Sequence, residues 1–370
     1  MLMRKTIVIS AVNLIQAGTL AILRDCLSFL SKYAEEQNIE VIAIVYDKAL
    51  VPFGNIRYIE NKWPKKRWIN RLWFEYVTLN KISKELGPVD LWFSLHDTTP
   101  TVKAARRAVY CHNSFSFYKW KLNDLIFAPK IALFAIFTRF IYRPNITKNN
   151  YLVVQQNWFR DGLSKMFSIN PRKIIVFPPN IEHTKSSSLE KTALTKPYKF
   201  IFAASPNSHK NFEVICKAVE ILKRKKIDGF QVTITLKGTE NSYAEWLYKQ
   251  WGDIPEIDFK GFVSPQILND LYEESHCLIY PSKIESWGLP ISEFKNFNRP
   301  ILLADLPYAH ETASGALKTY YFSPDDPADL ASAMEKLISN DESFLVPSPQ
   351  ICYEDPKASN WRELFDILLS

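Results

Sequence analysis

The chain has 370 residues, of which 47% are hydrophobic and 23% charged. These values are ordinary for globular proteins and exclude wholesale disorder and a coiled coil, while the length suggests two domains. The formal net charge of +7 is unevenly distributed: residues 1–183 carry 26 basic and 13 acidic side chains, and the remainder carries 20 and 26. The excess is steepest over residues 51–150, with 17 basic against 6 acidic side chains. This asymmetry suggests that the first half faces an anionic partner, either a membrane surface, a nucleic acid or a phosphorylated substrate.

The five cysteines are scattered and form no CxxC pair. A disulfide framework or a zinc site is therefore not expected, and a reducing compartment fits. The first residues, MLMRKTIVISAVNL, begin a strand and lack the apolar region and cleavage site of a signal peptide. We therefore expect a cytoplasmic protein.

Strand and helix patterns alternate through the first half. Thr6–Ala11 is a β-branched run typical of a buried strand, apolar residues recur with helical period from Leu20 to Tyr33, and Val41–Tyr46 is a second buried strand. Strand, helix and strand in this order form a βαβ unit, which implies a parallel sheet. The pattern continues with a helix and further strands, predicted at Leu72–Leu86, Asp90–Leu95, Ala108–Cys111, Tyr151–Gln155 and Ile174–Phe177.

A polar stretch rich in Ser, Thr and Lys, residues 183–197, predicts an interdomain linker. A second βαβ series fills residues 198–352, with strands predicted at Lys199–Ala204, Val232–Leu236, Ile257–Lys260, Cys277–Tyr280 and Arg299–Leu303. We therefore expect an α/β protein with two Rossmann-like parallel-sheet domains, residues 1–182 and 198–352, that face a cleft. Residues 353–370 contain an amphipathic helix, which either closes the second domain or crosses back to the first.

Two segments of the first domain combine apolar, aromatic and basic residues. Residues 62–74 hold five basic side chains and three tryptophans, and residues 125–142 are apolar but interrupted by Pro129, Lys130 and Arg139. The interruptions argue against a membrane-spanning helix, whereas interfacial helices on anionic membranes have this composition. The interpretation that both segments cover the edge of a hydrophobic core stays open. Nucleic-acid binding is disfavoured, because no helix-turn-helix, zinc-finger or RNP-like pattern accompanies the basic stretch.

The most specific pattern lies in residues 280–300, YPSKIESWGLPISEFKNFNRP. Seven residues separate Glu285 from Glu293, and Gly288 lies in the loop between them, just before a proline that predicts a helix start. The free N–H groups at such a start, those of Gly288 and Leu289, suit a pyrophosphate. The two carboxylates can accept hydrogen bonds from the hydroxyls of a sugar and of a ribose.

This segment resembles the E-x7-E signature of the family-4 glycosyltransferases, which are retaining enzymes of the two-Rossmann GT-B type. The stretches KFIFAASPNSHKN, LKG, FKGFV, LYEESHCLIYPS and YFSPDDPADL are similar to further family segments in the same order. The resemblance thus covers most of residues 199–370. Over residues 1–182 it is weaker, and depends on Gly18, the strand that ends before His112, and the stretch VVQQNWFRDGL.

The resemblance implies a role for each matching residue. Glu293 would bind the nucleotide ribose, Glu285 would lie at the donor sugar, and Gly288 and Leu289 would offer amides to the phosphates. Lys210 would neutralise the departing diphosphate, which is the main catalytic demand. The other implied donor-binding residues are Gly18, Ser205, His209, Asn211 and Gly238. No cofactor and no metal are expected, since nothing resembles the Asp-x-Asp metal motif of the other large glycosyltransferase fold.

Three positions depart from the family pattern. An arginine usually precedes the phosphate-binding lysine, but the residues before Lys210 here include Ala204-Ser205-Pro206. A glycine usually follows the second glutamate, whereas this chain has Asn298, the type of residue that best tolerates left-handed geometry after glycine. The paired glycines of the first loop are replaced by Ala17-Gly18.

Two histidines follow predicted strands of the first domain. His112 lies at the carboxyl end of its strand, and related enzymes often have a histidine there near the donor sugar, so the resemblance implies a catalytic residue; a packed loop histidine is the alternative. His96 has the same type of position one strand earlier. Neither has an evident Ser or Cys partner for a nucleophilic triad, so hydrolase chemistry is unsupported.

The sequence thus predicts a retaining, metal-independent glycosyltransferase. It would move a sugar from a nucleotide-sugar donor on the second domain to a glycan or lipid-linked acceptor on the first, in bacterial surface polysaccharide or lipopolysaccharide assembly. It would lie in the cytoplasm, peripheral on the inner face of the membrane, with no nucleic-acid partner. Two alternatives remain: a nucleotide-sugar epimerase of the same architecture, and a degenerate membrane-associated protein that binds glycans or nucleotides.

Overall fold

The computed structural model describes residues 4–120, 122–179 and 196–370. These form two compact units. Unit 1 contains the described residues of Met1–Ser116, Ile136–Asn180 and Tyr353–Ser370, and unit 2 those of Phe117–Ala135 and Ile181–Cys352. The predicted linker, residues 183–197, lies outside the described residues except for its last two.

Unit 1 is built on a parallel sheet of seven strands within the described ranges: β1 (Thr6–Ala11), β2 (Glu40–Val45), β3 (Ile56–Glu60), β4 (Leu91–Ser94), β5 (Arg106–Tyr110), β6 (Tyr151–Val154) and β7 (Ile174–Val176). Their spatial order is β3-β2-β1-β4-β5-β6-β7, and all pairs are parallel. The sequence did not predict β3. It is a half-buried edge strand, so it lacks the continuous apolar run that identified its neighbours.

Helices of the first part of the chain are α1 (Ala17–Glu36), α2 (Trp68–Trp73), α3 (Leu79–Glu85), α4 (Leu122–Phe127), α5 (Pro129–Tyr142) and α6 (Asn157–Phe167). Alternate residues of β1 point to opposite faces of the sheet. Ile7 and Ile9 lie in the hydrophobic cluster that includes α1, while Val8 packs with Phe74 and Leu79 on the other face. The helix predicted at Leu72–Leu86 is interrupted, because Phe74–Thr78 between α2 and α3 forms a π-helical turn.

Unit 2 is built on a second parallel sheet, which has six strands among the described residues: β8 (Tyr198–Phe202), β9 (Phe230–Ile234), β10 (Ile257–Phe259), β11 (Cys277–Tyr280), β12 (Ile301–Ala304) and β13 (Thr319–Phe322). Their order is β10-β9-β8-β11-β12-β13. Its helices are α7 (Phe212–Arg224), α8 (Ser242–Trp251), α9 (Pro265–Glu274), α10 (Leu289–Lys295), α11 (Pro307–Thr312) and α12 (Pro327–Ile338). The predicted α/β fold with two Rossmann-like parallel-sheet domains is therefore confirmed.

The chain crosses from one unit to the other at more places than the single predicted linker. The described residues of Phe117–Ala135 fall in unit 2, where the Phe127 ring lies 5.0 Å from that of Trp246 and 5.9 Å from that of Tyr243. The last helix, α13 (Trp361–Leu369), belongs to unit 1. The open question about the C-terminal helix is thus answered: it crosses back to the first unit.

The contacts of α13 explain its position. Leu364, Phe365 and Leu368 are fully buried in the same cluster as α1. Phe365 stacks on Phe29 of α1 at 5.8 Å and meets Phe93 of β4 edge-on at 6.0 Å. The apolar side of the amphipathic helix therefore completes one face of the unit 1 sheet.

None of the described helices is both long enough and apolar enough to span a membrane.

Candidate active site

The candidate site of unit 2 lies where its strand order reverses. The chain runs outward from β8 through β9 to β10, and then returns to place β11 on the other side of β8. In open α/β sheets, ligands bind at such a point, outside the carboxyl ends of the strands. The loops that follow β8 and β11 carry most of the predicted donor-binding residues of unit 2.

Asn211 joins the two loops. It has a left-handed φ of 62° after the short turn Ser208–Lys210, and its side-chain amide donates hydrogen bonds to the carbonyls of Pro281 (3.1 Å) and Pro324 (2.7 Å). The buried bond to Pro281 holds the loop after β8 against the loop after β11, and the bond to Pro324 ties it to the segment after β13. Asn211 thus positions its neighbour Lys210.

Lys210 and Glu285 form an ion pair between the two loops. Each side chain is only 13% exposed. The Tyr280 hydroxyl donates a second hydrogen bond, of 3.0 Å, to the same carboxylate oxygen. Two predicted residues that are far apart in the sequence are therefore brought into contact, and a lysine ammonium is held in a largely dehydrated position.

The turn at Gly288 requires glycine for two reasons. Its φ of 91° lies in the left-handed region, and a Cβ would lie 3.3 Å from Ile291 and 3.4 Å from the Tyr280 ring. Helix α10 begins at the next residue, Leu289, whose side chain is exposed. The first N–H groups of a helix have no partner within it, so they face the end at which this turn lies.

Glu293 lies one turn inside α10 and is half-buried. The Tyr272 hydroxyl donates a hydrogen bond of 3.3 Å to it. Burial raises the pKa of Glu293 above its usual value, although the hydrogen bond from Tyr272 acts in the opposite direction. The site therefore holds a carboxylate that gains from further hydrogen-bond donors.

His209 and Lys283 lie next to the Lys210–Glu285 ion pair along the two loops. The Lys283 N–H donates to the His209 carbonyl at 2.7 Å, and Lys283 Nζ lies 3.3 Å from Glu213. Burial, together with the charges of Lys210 and Lys283, holds the pKa of His209 well below its usual value. The imidazole is therefore neutral at physiological pH and adds no charge to that of Lys210.

The other predicted residues of unit 2 lie in different surroundings. Gly238 has a left-handed φ of 93°, and its N–H donates to the Glu240 carboxylate at 2.9 Å, as do those of Lys237 (2.6 Å) and Thr239 (3.0 Å). These bonds outweigh burial and lower the pKa of Glu240. Ser205 is exposed and accepts a hydrogen bond from the side chain of Asn207. No hydrogen bond or ion pair of the described residues joins Gly238 or Ser205 to the Lys210–Glu285 pair.

Gly18 and His112 lie in unit 1. Gly18 is the second residue of α1, and no atom lies within 4 Å of the position of its missing Cβ, so the protein's own packing does not require glycine. His112 follows β5; its two ring nitrogens are buried, and its ring lies 4.2 Å from that of Tyr110. Burial lowers the pKa of His112, so the ring is neutral.

The sequence analysis missed Tyr280, Tyr272 and Glu75. Tyr280 ends the buried strand β11, and Tyr272 is the buried residue of α9, so both resemble ordinary core residues. Glu75 lies on the π-helical turn of unit 1 and is fully buried, although a single glutamate in a helical pattern predicts an exposed residue. The available signal for Glu75 was an ionisable residue among apolar and aromatic neighbours in the sequence.

The second of two Rossmann-like parallel sheets has a largely buried lysine and a glycine-initiated helix beside its switch point. This is the architecture of a GT-B glycosyltransferase. Comparison with family profiles agrees: residues 164–349, just over half of the chain, match the glycosyl transferases group 1. The chain belongs to this family, and the predicted glycosyltransferase is confirmed at that level.

Similar proteins include the O-antigen chain mannosyltransferase RfbU of Salmonella typhimurium, with 24% identity over 295 residues, 78% of this chain and 76% of that protein. Among solved structures, a glycosyltransferase from Rickettsia africae has a TM-score of 0.62 and 17% identity and covers 91% of this chain and 88% of its own. Anabaena HepE in complex with UDP-glucose has a TM-score of 0.63 and 12% identity, with 90% of each chain covered. At these identities the two structures support the fold alone.

Proposed function

We propose that the protein is a retaining, metal-independent glycosyltransferase that moves a hexose from a nucleoside-diphosphate sugar to a glycan or lipid-linked acceptor in the assembly of a bacterial surface polysaccharide. The observation that carries this proposal is the largely buried Lys210–Glu285 pair at the switch point of unit 2. Mannose is the first sugar to test, because RfbU is named as an O-antigen mannosyltransferase.

The charge of the site suits a diphosphate. Negative charge grows on the departing nucleoside diphosphate in the transition state, so a preorganised cation there lowers the barrier. Lys210 is held largely away from water, where its attraction to an anion is stronger than in bulk solvent. His209 is neutral, and Lys283 lies beside Glu213. Lys210 is accordingly the cation that we assign to the diphosphate.

The remaining proposed contacts with the donor are made by helix α10 and the loop before it. The N–H groups after Gly288 would bind the phosphates, and Glu293 would accept hydrogen bonds from the ribose diol. Glu285, which orients Lys210, would contact the donor sugar. Retention would follow from front-face attack in which the leaving phosphate takes the acceptor proton, so no protein nucleophile is required.

A substitution of Glu293 tests the donor assignment. Glu293→Gln keeps the shape of the side chain and an oxygen for Tyr272, but it removes the charge that strengthens hydrogen bonds from hydroxyls. Hydrogen bonds to charged groups contribute about 1.5–3 kcal/mol, so we expect the Kd for the nucleotide sugar to rise about tenfold or more. Calorimetry with GDP-mannose, UDP-glucose and UDP-galactose measures this change for the donor that binds.

The matched control is Glu273→Gln, an exposed position on α9. Its donor affinity should equal that of the wild type. Unchanged affinity in Glu293→Gln would refute the ribose assignment. Product analysis separates the alternatives: a changed sugar formed from donor alone indicates an epimerase, and the anomeric configuration of a transferred sugar reports retention or inversion.

We further propose that unit 1 binds the surface of an anionic membrane through residues 62–77. Trp63, Trp68 and Trp73 are 41%, 44% and 59% exposed, and Ile69 is 69% exposed. Ile69 and Trp73 are four residues apart on α2, so they form one stripe on this helix, and Val77 in the following π-helical turn is 46% exposed. Exposed Lys65, Lys66 and Arg67 precede this stripe. Exposed tryptophan next to lysine and arginine is the composition of an interfacial segment.

Helix α5 supports the same proposal. In the part of α5 that belongs to unit 1, Ile136, Phe137 and Phe140 are 39%, 50% and 61% exposed, and Phe140 lies four and three residues after the other two, on a single face. These side chains therefore do not serve as a core. The exposed Arg139 and Arg143 near the end of the helix suit lipid headgroups.

Vesicle sedimentation tests the membrane proposal. We expect binding to vesicles that contain phosphatidylglycerol, weakened by salt because exposed charges are screened, and strongly reduced in Trp68→Ser/Trp73→Ser. The control is Phe262→Ser, which removes a 93% exposed aromatic residue of unit 2. Equal binding to neutral vesicles, or an equal loss in the control, would contradict the assignment.

A further inference from the structure

Unit 1 has its own reversal of strand order, between β1 and β4. The loops that follow β1, β4 and β5, three neighbouring strands, each contain buried polar side-chain atoms with no hydrogen bond to any described residue. These atoms are Asn13 Nδ2, His96 Nε2, both ring nitrogens of His112, and Ser116 Oγ. Nearly all buried polar groups in native proteins have a partner, so a cluster of unpaired ones at a ligand-binding edge indicates a polar ligand.

A buried carboxylate fixes the orientation of His96. Its Nδ1 lies 3.1 Å from Glu75 Oε1, and the ring is 1% exposed. A carboxylate only accepts hydrogen bonds, so Nδ1 carries the hydrogen. In the neutral imidazole, Nε2 is then left with a lone pair, which is an acceptor without a donor.

Glu75 is itself held in place. Arg71 Nε donates to Oε1 at 2.8 Å, the Thr98 hydroxyl donates to Oε2, and Arg71 Nη2 donates to the His96 carbonyl at 2.7 Å. Burial alone would raise the pKa of Glu75, but His96 and Arg71 lower it to about 2, so the carboxylate stays ionised. The π-helical turn Phe74–Thr78 carries Glu75, and such turns are frequent at functional sites.

His112 extends the cluster. Its backbone N–H and that of Asn113 donate to Asp97 Oδ1 at 2.5 and 2.8 Å, which fixes the loop. Burial lowers the pKa of His112, and the backbone of Leu95 opposes this fall. Neither ring nitrogen of His112, however, forms a hydrogen bond with a described residue. His112 therefore offers an uncharged ring beside the His96 loop.

The charges select the class of ligand. Glu75 and Asp97 are carboxylates, and Arg71 is paired with Glu75. An anion at this place would face both carboxylates, whereas a hydroxyl can donate to a lone pair and accept from an N–H at the same time. A neutral, hydroxylated ligand fits, and a phosphate does not.

We propose that His96, oriented by Glu75, binds a hydroxyl of the acceptor glycan through Nε2, with His112 beside it, and that Glu75 is a positioning residue. This inference rests on the proposed glycosyl transfer, for which it names the acceptor-binding group. The test is arranged so that donor binding and acceptor binding are read separately.

Two substitutions of His96 form a matched pair. In His96→Asn the amide nitrogen can replace Nδ1 and still donate to Glu75, but nothing replaces Nε2. In His96→Gln the longer side chain places a polar atom near the former Nε2. The assay uses GDP-mannose as donor and octyl glycosides of mannose, glucose, galactose, rhamnose and N-acetylglucosamine as acceptors. We expect His96→Asn to raise the acceptor KM about tenfold or more, and His96→Gln to recover part of this loss of affinity.

The calorimetric Kd for the donor, whose proposed binding residues lie in unit 2, should be unchanged in both variants. Equal acceptor KM in His96→Asn and the wild type would overturn the inference, since a structural histidine or an ordered water predicts that result. Absence of donor binding in the wild type would instead refute the proposed function.

A spectroscopic test does not depend on turnover. In NMR spectra of the full chain labelled with ¹⁵N-histidine, the resonances of His96 are those that disappear in His96→Asn. They should show a protonated Nδ1 and an unprotonated Nε2. Glu75→Gln should change this tautomer, because an amide can donate a hydrogen bond to Nδ1. The Nε2 resonance should shift when the octyl glycosides are added. An Nε2-protonated ring, or no shift with any glycoside, would overturn the assignment.

Discussion

The buried carboxylate of Glu75 makes the stability of unit 1 sensitive to acid. Its usual pKa of 4.5 falls to about 2 in the folded protein, because His96 and Arg71 stabilise the charged form more than burial penalises it. This difference of about 2.5 units corresponds to about 3 kcal/mol of stability at neutral pH. Glu75→Gln removes this contribution and leaves the Arg71 guanidinium without its partner.

The dependence on pH has a definite sign. The unfolded carboxyl takes up its proton near pH 4.5, whereas the folded one remains ionised until about pH 2. The stabilisation is therefore complete above about pH 5.5 and is lost as the pH falls through these two values. The difference in unfolding free energy between the wild type and Glu75→Gln should be about 3 kcal/mol at pH 7 and should shrink by about 2 kcal/mol at pH 3.

Urea titrations followed by fluorescence and circular dichroism, at pH 7, 5, 4 and 3, measure this difference for the transition of unit 1. The control is Glu85→Gln, whose side chain is 62% exposed and 3.8 Å from Lys81. An exposed pair of this kind contributes less than about 1 kcal/mol, so the control should differ little from the wild type at any pH. A difference for Glu75→Gln that stays constant from pH 7 to pH 3 would refute the reasoning.

Two further substitutions test the packing of the two units. Gly288→Ala introduces a Cβ at a φ of 91° and against Ile291 and Tyr280, so it should destabilise unit 2 by about 1–3 kcal/mol and weaken donor binding at least tenfold. The control is Gly54→Ala, because no atom lies within 4 Å of the Cβ position there. Equal donor affinity in the two variants would contradict the strain argument. Phe365→Ala removes a fully buried ring from α13 and should lower the stability of unit 1 by about 3–5 kcal/mol, as measured in urea; a loss confined to the unit 2 transition would show that α13 packs elsewhere.

The strands that the sequence predicted best are those with continuous burial. Thr6–Ala11 and Cys277–Tyr280 have the predicted bounds, because both faces of these strands are covered and the apolar run is uninterrupted. The edge strand β3 and the last strand β13 were missed, since partial exposure permits polar residues that break the run. Local geometry was predicted where one residue type decides it: Asn298 has a left-handed φ of 53°, as expected for a position where related proteins have glycine.

The candidate site was less accessible to sequence reasoning. The spacing of Glu285 and Glu293 around a glycine-proline helix start is a local pattern and could be identified, but the contact of Lys210 with Glu285 joins residues 75 positions apart. Only the pairing of β8 with β11 brings their loops together. Glu75 was missed for a related reason: a π-helical turn shifts the register of the helix, so a regular helical period does not predict which side is buried.

The return of α13 to unit 1 has a consequence for how the protein is made. Unit 1 begins with β1 near residue 6 and is completed only by residues 361–369, whereas most of unit 2 lies between them. At a synthesis rate of about 5–20 residues per second, about 20–70 s pass between the two ends of unit 1. During this interval the apolar side of the sheet that Phe365 later covers is incomplete, so the second unit can fold on the ribosome before the first. Unit 1 can therefore reach its complete native packing only after residues 361–369 have been synthesised.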